Sequence, residues 1–306
     1  MRNLTCQVAG IPFHNPLVLA SGSLGFGAQY ANRYDINRLG GILCKGMMLN
    51  PCADSEHILL METAEGMSKQ IGFGHVSIDG FLQQDMPYWE TIDPVKIVNI
   101  GGSCVEEFVL GTLKIVKDAE ERRRMNRRAV DMIELNLLAF GIKLATAREV
   151  IREVRQVTSL PLAVKLSPEA ECIVQLAMMC EQEGAECITL VNHFSALKID
   201  IYKRRHVSQH PESPYAALSG SAIKPIALRM VHQVVQQVSI PVIGMGGITT
   251  AADVIEFIMA GAEIVQIGAY HGANIRAGEE ILMGIQSFME LENIYNLEEI
   301  RGVVRL

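Results

Sequence analysis

One stretch limits the possible folds more than any other. Residues 241–270, PVIGMGGITTAADVIEFIMAGAEIVQIGAY, read as strand, glycine turn, helix, strand. Pro241, Val242, Ile243 and Gly244 form a short apolar run suited to a parallel strand buried on both faces. Gly246 and Gly247 follow as a turn whose backbone N–H groups can approach a ligand with no Cβ in the way. Between Thr250 and Met259 the apolar residues Val254, Ile255, Phe257 and Ile258 fall at helical spacing, and Gly261 suits the position just past the helix end. Glu263 to Ile267 is a second buried strand, closed by another turn at Gly268. Two such turns at adjacent strand ends suit a phosphate cradle. The plainer alternative is a pair of ordinary glycine-rich strand–helix turns.

The same unit recurs upstream. Strands are expected at Leu17–Ala20, Gly41–Lys45, Lys96–Ile100, Asp131–Asn136, Pro161–Leu166 and Glu186–Asn192. Helices are expected over 28–39, 104–120, 146–156 (with Thr146 as N-cap), 170–183 and 222–237. Residues 47–94 read as an inserted loop or hairpin, 198–219 as a polar excursion, and the charged run 119–128 as a solvated helix end and loop. Eight strand–helix units in order predict an α/β fold, a (β/α)8 TIM barrel with inserted loops on its C-terminal face, as one domain over 1–306.

Composition narrows the function. With 306 residues, 49% of them hydrophobic, and a net charge of −7, the chain buries a large core and carries no basic stripe for nucleic acid. No apolar run approaches the roughly 20 residues of a membrane span. The start MRNLTCQVAG lacks a signal-peptide core, so a cytoplasmic location is expected. Seven cysteines without a CxxC pair read as reduced thiols. His206 and His210 have ligand-like spacing but no further ligands, so no metal is expected.

Lys45, Asn99, Asn136, Lys165 and Asn192 all fall at or near expected C-terminal strand ends, the rim on which barrels of this type build active sites. A lone lysine or asparagine there is commonly a turn former or a satisfied polar group. Five on one rim, facing a phosphate cradle, favour a bound polar cofactor.

The chain resembles the class 1 dihydroorotate dehydrogenases, especially the catalytic subunit of their NAD-linked type. The likeness runs nearly end to end and is concentrated in NPLVLASGSLGFG, NIGGSCVEEF, LPLAVKLSP, and LSGSAIKPIALRM through GITTAADVIEFIMAGAEIVQIG. It implies an FMN-containing barrel that oxidises dihydroorotate to orotate. Carried across by position, Ala20 and Ser21 match the first-strand flavin contact. Lys45 matches the strand-two lysine beside both flavin and substrate, and Asn99 the strand-three end. Asn136 matches the strand-four asparagine that touches the cofactor, with Asn192 retained on the strand-six end. Lys165 matches the lysine at the pyrimidine end of the flavin, where a cation stabilises the negative charge of the reduced ring. Ser219, Gly220, Gly246, Gly247 and Gly268 match the ribityl and phosphate contacts, while Ala269 replaces the usual threonine.

The substrate side departs from the family. Where the family reads N-x-S-C-P-N, with the cysteine as base, this chain has Asn136-Leu137-Leu138-Ala139-Phe140-Gly141. Where it reads N-x-x-G-x-x-N, the chain has Lys69-Gln70-Ile71-Gly72-Phe73-Gly74-His75. These changes imply an FMN-dependent oxidoreductase with a rebuilt site for a small molecule other than dihydroorotate. His193, His75 and Lys45 are the catalytic candidates, with Lys69, His75, Asn192 and His193 as substrate contacts. The plainer alternative is that each histidine fills space or bonds a backbone carbonyl. Tyr270 and His271 follow the last strand, within reach of the pocket or packed beside it. Three other readings stay open: an inactive FMN-binding or partner subunit, a non-redox phosphate-binding barrel, and a dihydroorotate dehydrogenase with a relocated base. The resemblance also implies a homodimer and an iron–sulfur/FAD electron-transfer subunit as partner.

Overall fold

The computed structural model of the chain describes residues 2–23, 25, 27–28, 34–50, 60–63, 66–69, 77–137, 144–170, 172–207 and 214–304. Eight parallel strands close into a barrel, each beside its neighbour in sequence: β1 (Leu17–Leu19), β2 (Gly41–Leu43), β3 (Val95–Ile100), β4 (Met132–Asn136), β5 (Leu162–Lys165), β6 (Cys187–Leu190), β7 (Val242–Met245) and β8 (Ile264–Ile267). They are apolar, rich in Ile, Val and Leu, and buried along nearly their whole length. That is what a sheet covered on one face by helices and filled on the other by its own side chains requires. Each fully buried aliphatic side chain contributes about 1.5–3 kcal/mol of transfer free energy, set against the entropy of ordering it.

The helices that cover the strands are α1 (Val105–Arg124), α2 (Leu144–Val157), α3 (Ile173–Gln182), α4 (Lys224–Val235), α5 (Ala251–Met259) and α6 (Ala277–Leu291). Helices α2 to α5 extend close to the patterned bounds, but Thr146 lies inside α2 rather than capping it, and α6 is not among the helices expected from the sequence. Of the helix expected over 28–39, the described part is a 3-10 turn, Ile36–Arg38, capped by the Asp35 side chain. The segment 222–237 opens as a 3-10 turn, Ser221–Ile223, before α4 begins. The charged run 119–128 is not simply solvated. The helix α1 continues to Arg124, and the Arg122 guanidinium is buried between Asp118 (2.6 Å) and Glu90, which also holds Arg127.

The described parts of the inserted segments gather at the C-terminal face. Leu60–Thr63 and Gly66–Lys69 form a hairpin, as the excursion over 47–94 anticipates. Tyr215–Ser219 pairs with Gly66–Lys69 on one side and Phe194–Leu197 on the other, so two insertions join in one four-stranded antiparallel sheet. The opposite end is closed by an antiparallel pair, Cys6–Val8 with Ile11–Phe13. Its Phe13 ring sits so near Gly41 that a Cβ there would lie 3.0 Å away. Asn15 ties the strand starts: its Oδ1 accepts from Leu17 (3.0 Å) and Gly40 (3.1 Å), and its Nδ2 donates to the Arg38 carbonyl (2.8 Å). No helix among the described residues is long and apolar enough to cross a membrane.

Candidate active site at the C-terminal mouth of the barrel

Five polar side chains from five strands meet inside the barrel. Glu134, the third residue of β4, is 0% exposed. One carboxylate oxygen accepts from Asn99 Nδ2 (2.7 Å) and lies 3.5 Å from Lys165 Nζ. The other accepts from Thr189 Oγ1 (2.9 Å) and Gln266 Nε2 (2.8 Å). The strand register brings them together, pairing Asn99 with Glu134 and Lys165 with Thr189 across adjacent strands. A buried carboxylate is tolerated only when donors and a cation surround it, and here both are present. Asn99 gives its Nδ2 to Glu134, and its Oδ1 is buried with no hydrogen-bond partner among the described residues. That oxygen lies beside Gly46, where an added Cβ would come within 3.0 Å of it.

One step higher on the same mouth, Asn136 ends β4 and Lys165 ends β5, paired in register. Asn192, two residues past β6, donates from Nδ2 to Asn136 Oδ1 (3.2 Å). Its own Oδ1 faces both the backbone N and the Nδ1 of His193, each at 3.0 Å. An amide oxygen can only accept, so the His193 proton sits on Nδ1 and Nε2 is left with its lone pair. Burial, then the charge of Lys165, pushes the imidazole down to about 4, although Glu169 pulls the other way. His193 is therefore neutral near pH 7, a hydrogen-bond acceptor rather than a cation. The backbone of Lys45 is fixed by its N–H donating to the Gly25 carbonyl (3.2 Å).

The third part is the glycine turns after β7 and before α4. Gly220, Gly246 and Gly247 have φ of +99°, +120° and +74°. A Cβ on Gly247 would meet the Lys224 backbone N at 2.8 Å and the Gly220 carbonyl at 2.9 Å, and one on Gly246 would meet Ala227 at 2.8 Å. The two turns thus pack directly against each other, too close for a Cβ on either Gly246 or Gly247, so their backbone N–H groups can approach a ligand unshielded by their own side chains. Gly268 differs: its φ is −104°, and a Cβ there would touch only Ala20, at 3.9 Å. The short helix Ala269–Ala273 starts directly after it. His271 in that helix is buried edge-on against the Tyr34 ring (5.9 Å between centroids), and Tyr270 packs against the core. Burial lowers the His271 imidazole below its ordinary range.

Of the residues singled out from sequence, Ala20, Asn99, Asn136, Lys165, Asn192 and His193 gather at this mouth, with Lys45 and the glycine turns around it. Ser21 follows Ala20 at the end of β1, and Ser219 ends the sheet strand that leads into Gly220. Lys69 ends a strand in register with Ala217, so its backbone belongs to the sheet of insertions. His75 and the segment Leu138, Ala139, Phe140, Gly141 lie outside the described residues. Cys44 is buried, accepts from the Asn99 N–H (3.2 Å), and its thiol is pushed up to about 12 by burial, so it is inert packing rather than a nucleophile. Sequence reasoning missed Glu134, Thr189 and Gln266. Their signal was present: each is a polar residue in the middle of an otherwise apolar strand.

These residues fit the flavin mononucleotide that the resemblance implies. The nested glycine turns offer N–H groups to a phosphate, Lys165 offers a buried cation, and the orphaned Asn99 Oδ1 offers an acceptor to a ring N–H.

Fold and site together define a (β/α)8 barrel built to hold a phosphorylated, electron-accepting cofactor at its C-terminal mouth. The family model for dihydroorotate dehydrogenase matches residues 3–289. The chain is 40% identical to the dihydroorotate dehydrogenase B (NAD(+)) catalytic subunit of Petrotoga mobilis, over 97% of this chain and 98% of that protein. It is 36% identical to the subunit of the same name from Geotalea uraniireducens, over 99% of this chain and 98% of that protein. The subunit of that name from Alkaliphilus metalliredigens is likewise 36% identical, over 98% of each. The chain belongs to the dihydroorotate dehydrogenase family.

Proposed function

We propose that this chain is an FMN-dependent oxidoreductase whose substrate is a small molecule other than dihydroorotate. The observation that carries this reading is a mismatch between two halves of one site. The cofactor half keeps Lys45, Asn99, Asn136, Lys165, Asn192 and the glycine turns. In the substrate half, Ala139 stands in place of the family's cysteine base, and Lys69 and His75 stand where two asparagines would bind the substrate. An alanine takes no proton. Each lost donor leaves a desolvated ligand group unpaired, at about 1–3 kcal/mol apiece.

FMN, when bound, would supply hydride transfer at its N5. The chain's own residues do the rest. The turns at Gly220 and Gly246–Gly247 bind the phosphate, Lys165 holds positive charge at the pyrimidine edge, and Asn99 accepts a ring hydrogen bond. Asn192 holds the His193 Nδ1, which leaves Nε2 as a hydrogen-bond acceptor. With its imidazole held near 4, His193 is a weak base, better matched to binding a donor group on the substrate than to removing a carbon-bound proton. Lys45 and Lys69 are the cations available to a substrate carboxylate, with His75 six residues after Lys69. The name "catalytic subunit" carried by the relatives supports a partner that relays electrons, an iron–sulfur/FAD subunit docking on a homodimer of this chain. Size-exclusion chromatography with light scattering reads the homodimer directly.

The deciding experiment is an absorbance spectrum of the protein reconstituted with FMN, repeated after anaerobic addition of dihydroorotate. Flavin bands that dihydroorotate leaves unbleached are expected, and Ala139→Cys alone is expected not to change that. Rapid bleaching of the unmodified protein would restore dihydroorotate as substrate with His193 as relocated base. Failure to take up FMN would point to a non-redox barrel.

A further inference from the structure

The buried carboxylate of Glu134 has no role in the reading above, and stability does not account for it. Replacing a buried ion pair by apolar side chains of similar volume is commonly neutral or stabilising, so a barrel of this kind has no structural need of a charge at its centre. The arrangement around it is nevertheless complete. Three donors from β3, β6 and β8 hold both carboxylate oxygens: Asn99 Nδ2 at 2.7 Å, Gln266 Nε2 at 2.8 Å and Thr189 Oγ1 at 2.9 Å. The fourth neighbour, Lys165 Nζ, stands at 3.5 Å, an ion pair longer than a full hydrogen bond. The ammonium is thus held by charge while its protons stay available to a ligand above it. Both side chains are almost wholly out of water, 0% exposed for Glu134 and 4% for Lys165, so the interaction between them is little screened.

We infer that Glu134 is a positioning residue that holds Lys165 at the cofactor and, by balancing its charge, sets how readily the cofactor is reduced. The inference rests on the FMN reading and extends it to a residue one layer beneath the site. A lysine alone would stabilise the anionic reduced flavin strongly; a carboxylate behind it withdraws part of that field. The same carboxylate fixes the Asn99 amide with its oxygen turned toward Gly46, so one group orients both polar contacts to the ring.

The test is the two-electron reduction potential of bound FMN in wild type and in Glu134→Gln. The Gln variant keeps the shape, and its new N–H2 finds an acceptor if the Gln266 amide turns over or the Thr189 hydroxyl rotates. Loss of the negative charge is expected to shift the flavin equilibrium at least tenfold toward the reduced form, about 30 mV upward for a two-electron couple. Thr189→Val removes one donor and keeps the charge, so it is expected to lower thermal stability while shifting that equilibrium less than threefold. If Glu134→Gln does not fold, Glu134→Asp carries the measurement, because it draws the carboxylate back from Lys165 and is expected to shift the equilibrium the same way by at least threefold. A potential unchanged or lowered in the flavin-loaded variant overturns the inference. So does an equal shift in Thr189→Val, or loss of flavin from a folded Glu134→Gln, since either would make the role structural. Wild-type protein that binds no FMN would instead refute the reading beneath it.

Discussion

Lys165 shows how much one side chain can carry in this fold. It ends β5, is nearly fully buried, and has a carboxylate behind it and the cofactor site in front. Lys165→Ala is expected to raise the FMN dissociation constant at least tenfold, about 1.4 kcal/mol. It is also expected to destabilise the apoprotein by about 3 kcal/mol, because Glu134 would remain buried without its cation. Fluorescence titration with FMN and thermal melts check the two effects separately. Gly247 is the other position where a single atom decides. Its φ of +74° is costly for any residue with a Cβ, and the atoms that a Cβ would strike, the Lys224 Cβ and N and the Gly220 carbonyl oxygen, are held in place by the backbone and cannot swing aside. Gly247→Ala should cost about 1–3 kcal/mol of stability and weaken FMN binding as the turn shifts. Gly272→Ala, where a Cβ would meet nothing within 4 Å, is the matched control and should shift the melting temperature little.

At the scale of the element, α5 shows a helix whose start is chemically specified. Thr250 Oγ1 accepts from the Asp253 N–H (3.2 Å), and the Asp253 carboxylate accepts in return from the Thr250 N–H (2.8 Å), a reciprocal capping box. Asp253 also takes the Thr249 N–H (2.9 Å) and the Lys224 ammonium (2.6 Å), which ties the start of α5 to the first turn of α4 beside the glycine nest. Burial works to raise its carboxyl, but the Lys224 bond and the N–H bonds outweigh it and hold the group at about 2. The folded value lies below the ordinary 3.8, so this stabilisation is full above about pH 4 and is lost as pH falls toward 2. Asp253→Asn is expected to lower the melting temperature at pH 7, by about 0.5–2 kcal/mol of stability. It should also flatten the decline between pH 4 and 2, and melts across that range read both effects. The α1 terminus makes the complementary point. Its charged run looks solvated in sequence, yet Arg122 is buried because Glu90, 32 residues earlier in the chain, folds back onto it.

At the scale of the whole molecule, the closed barrel is finished by the C-terminal segment. Arg301 donates to the carbonyls of Ala262 (2.6 Å) and Glu263 (2.8 Å), just before β8, and pairs with Glu298 (2.8 Å) and Glu263 (3.2 Å). This clamps the last turn of chain to the strand that closes on β1. Arg301→Ala leaves two carbonyls and a partly buried carboxylate without their donor and is expected to cost about 2–4 kcal/mol. That corresponds to a fall of about 4–8 °C in melting temperature. The substitution is remote from the mouth, so FMN affinity at 25 °C should stay within twofold of wild type.

Much of this was legible in the residues alone. The strands of the barrel and the left-handed glycines at 246, 247 and 261 follow from local chemistry: apolar runs of strand length and positions only glycine fits, whereas the N-cap read at Thr146 falls inside its helix. The placement of Lys165, Asn136 and Asn192 on one rim follows from counting strands, because a parallel barrel puts every strand end of one polarity on the same face. Tertiary structure alone decided which of those side chains touch. Glu134 meets Gln266 across 132 positions of chain because the barrel closes, and no pattern within β4 announces its partners. The joining of two insertions into one sheet, the burial of Arg122 and the lowered proton affinity of His193 are of the same kind. Each depends on groups brought near from elsewhere in the chain, and burial and electrostatics act through space, not along the sequence.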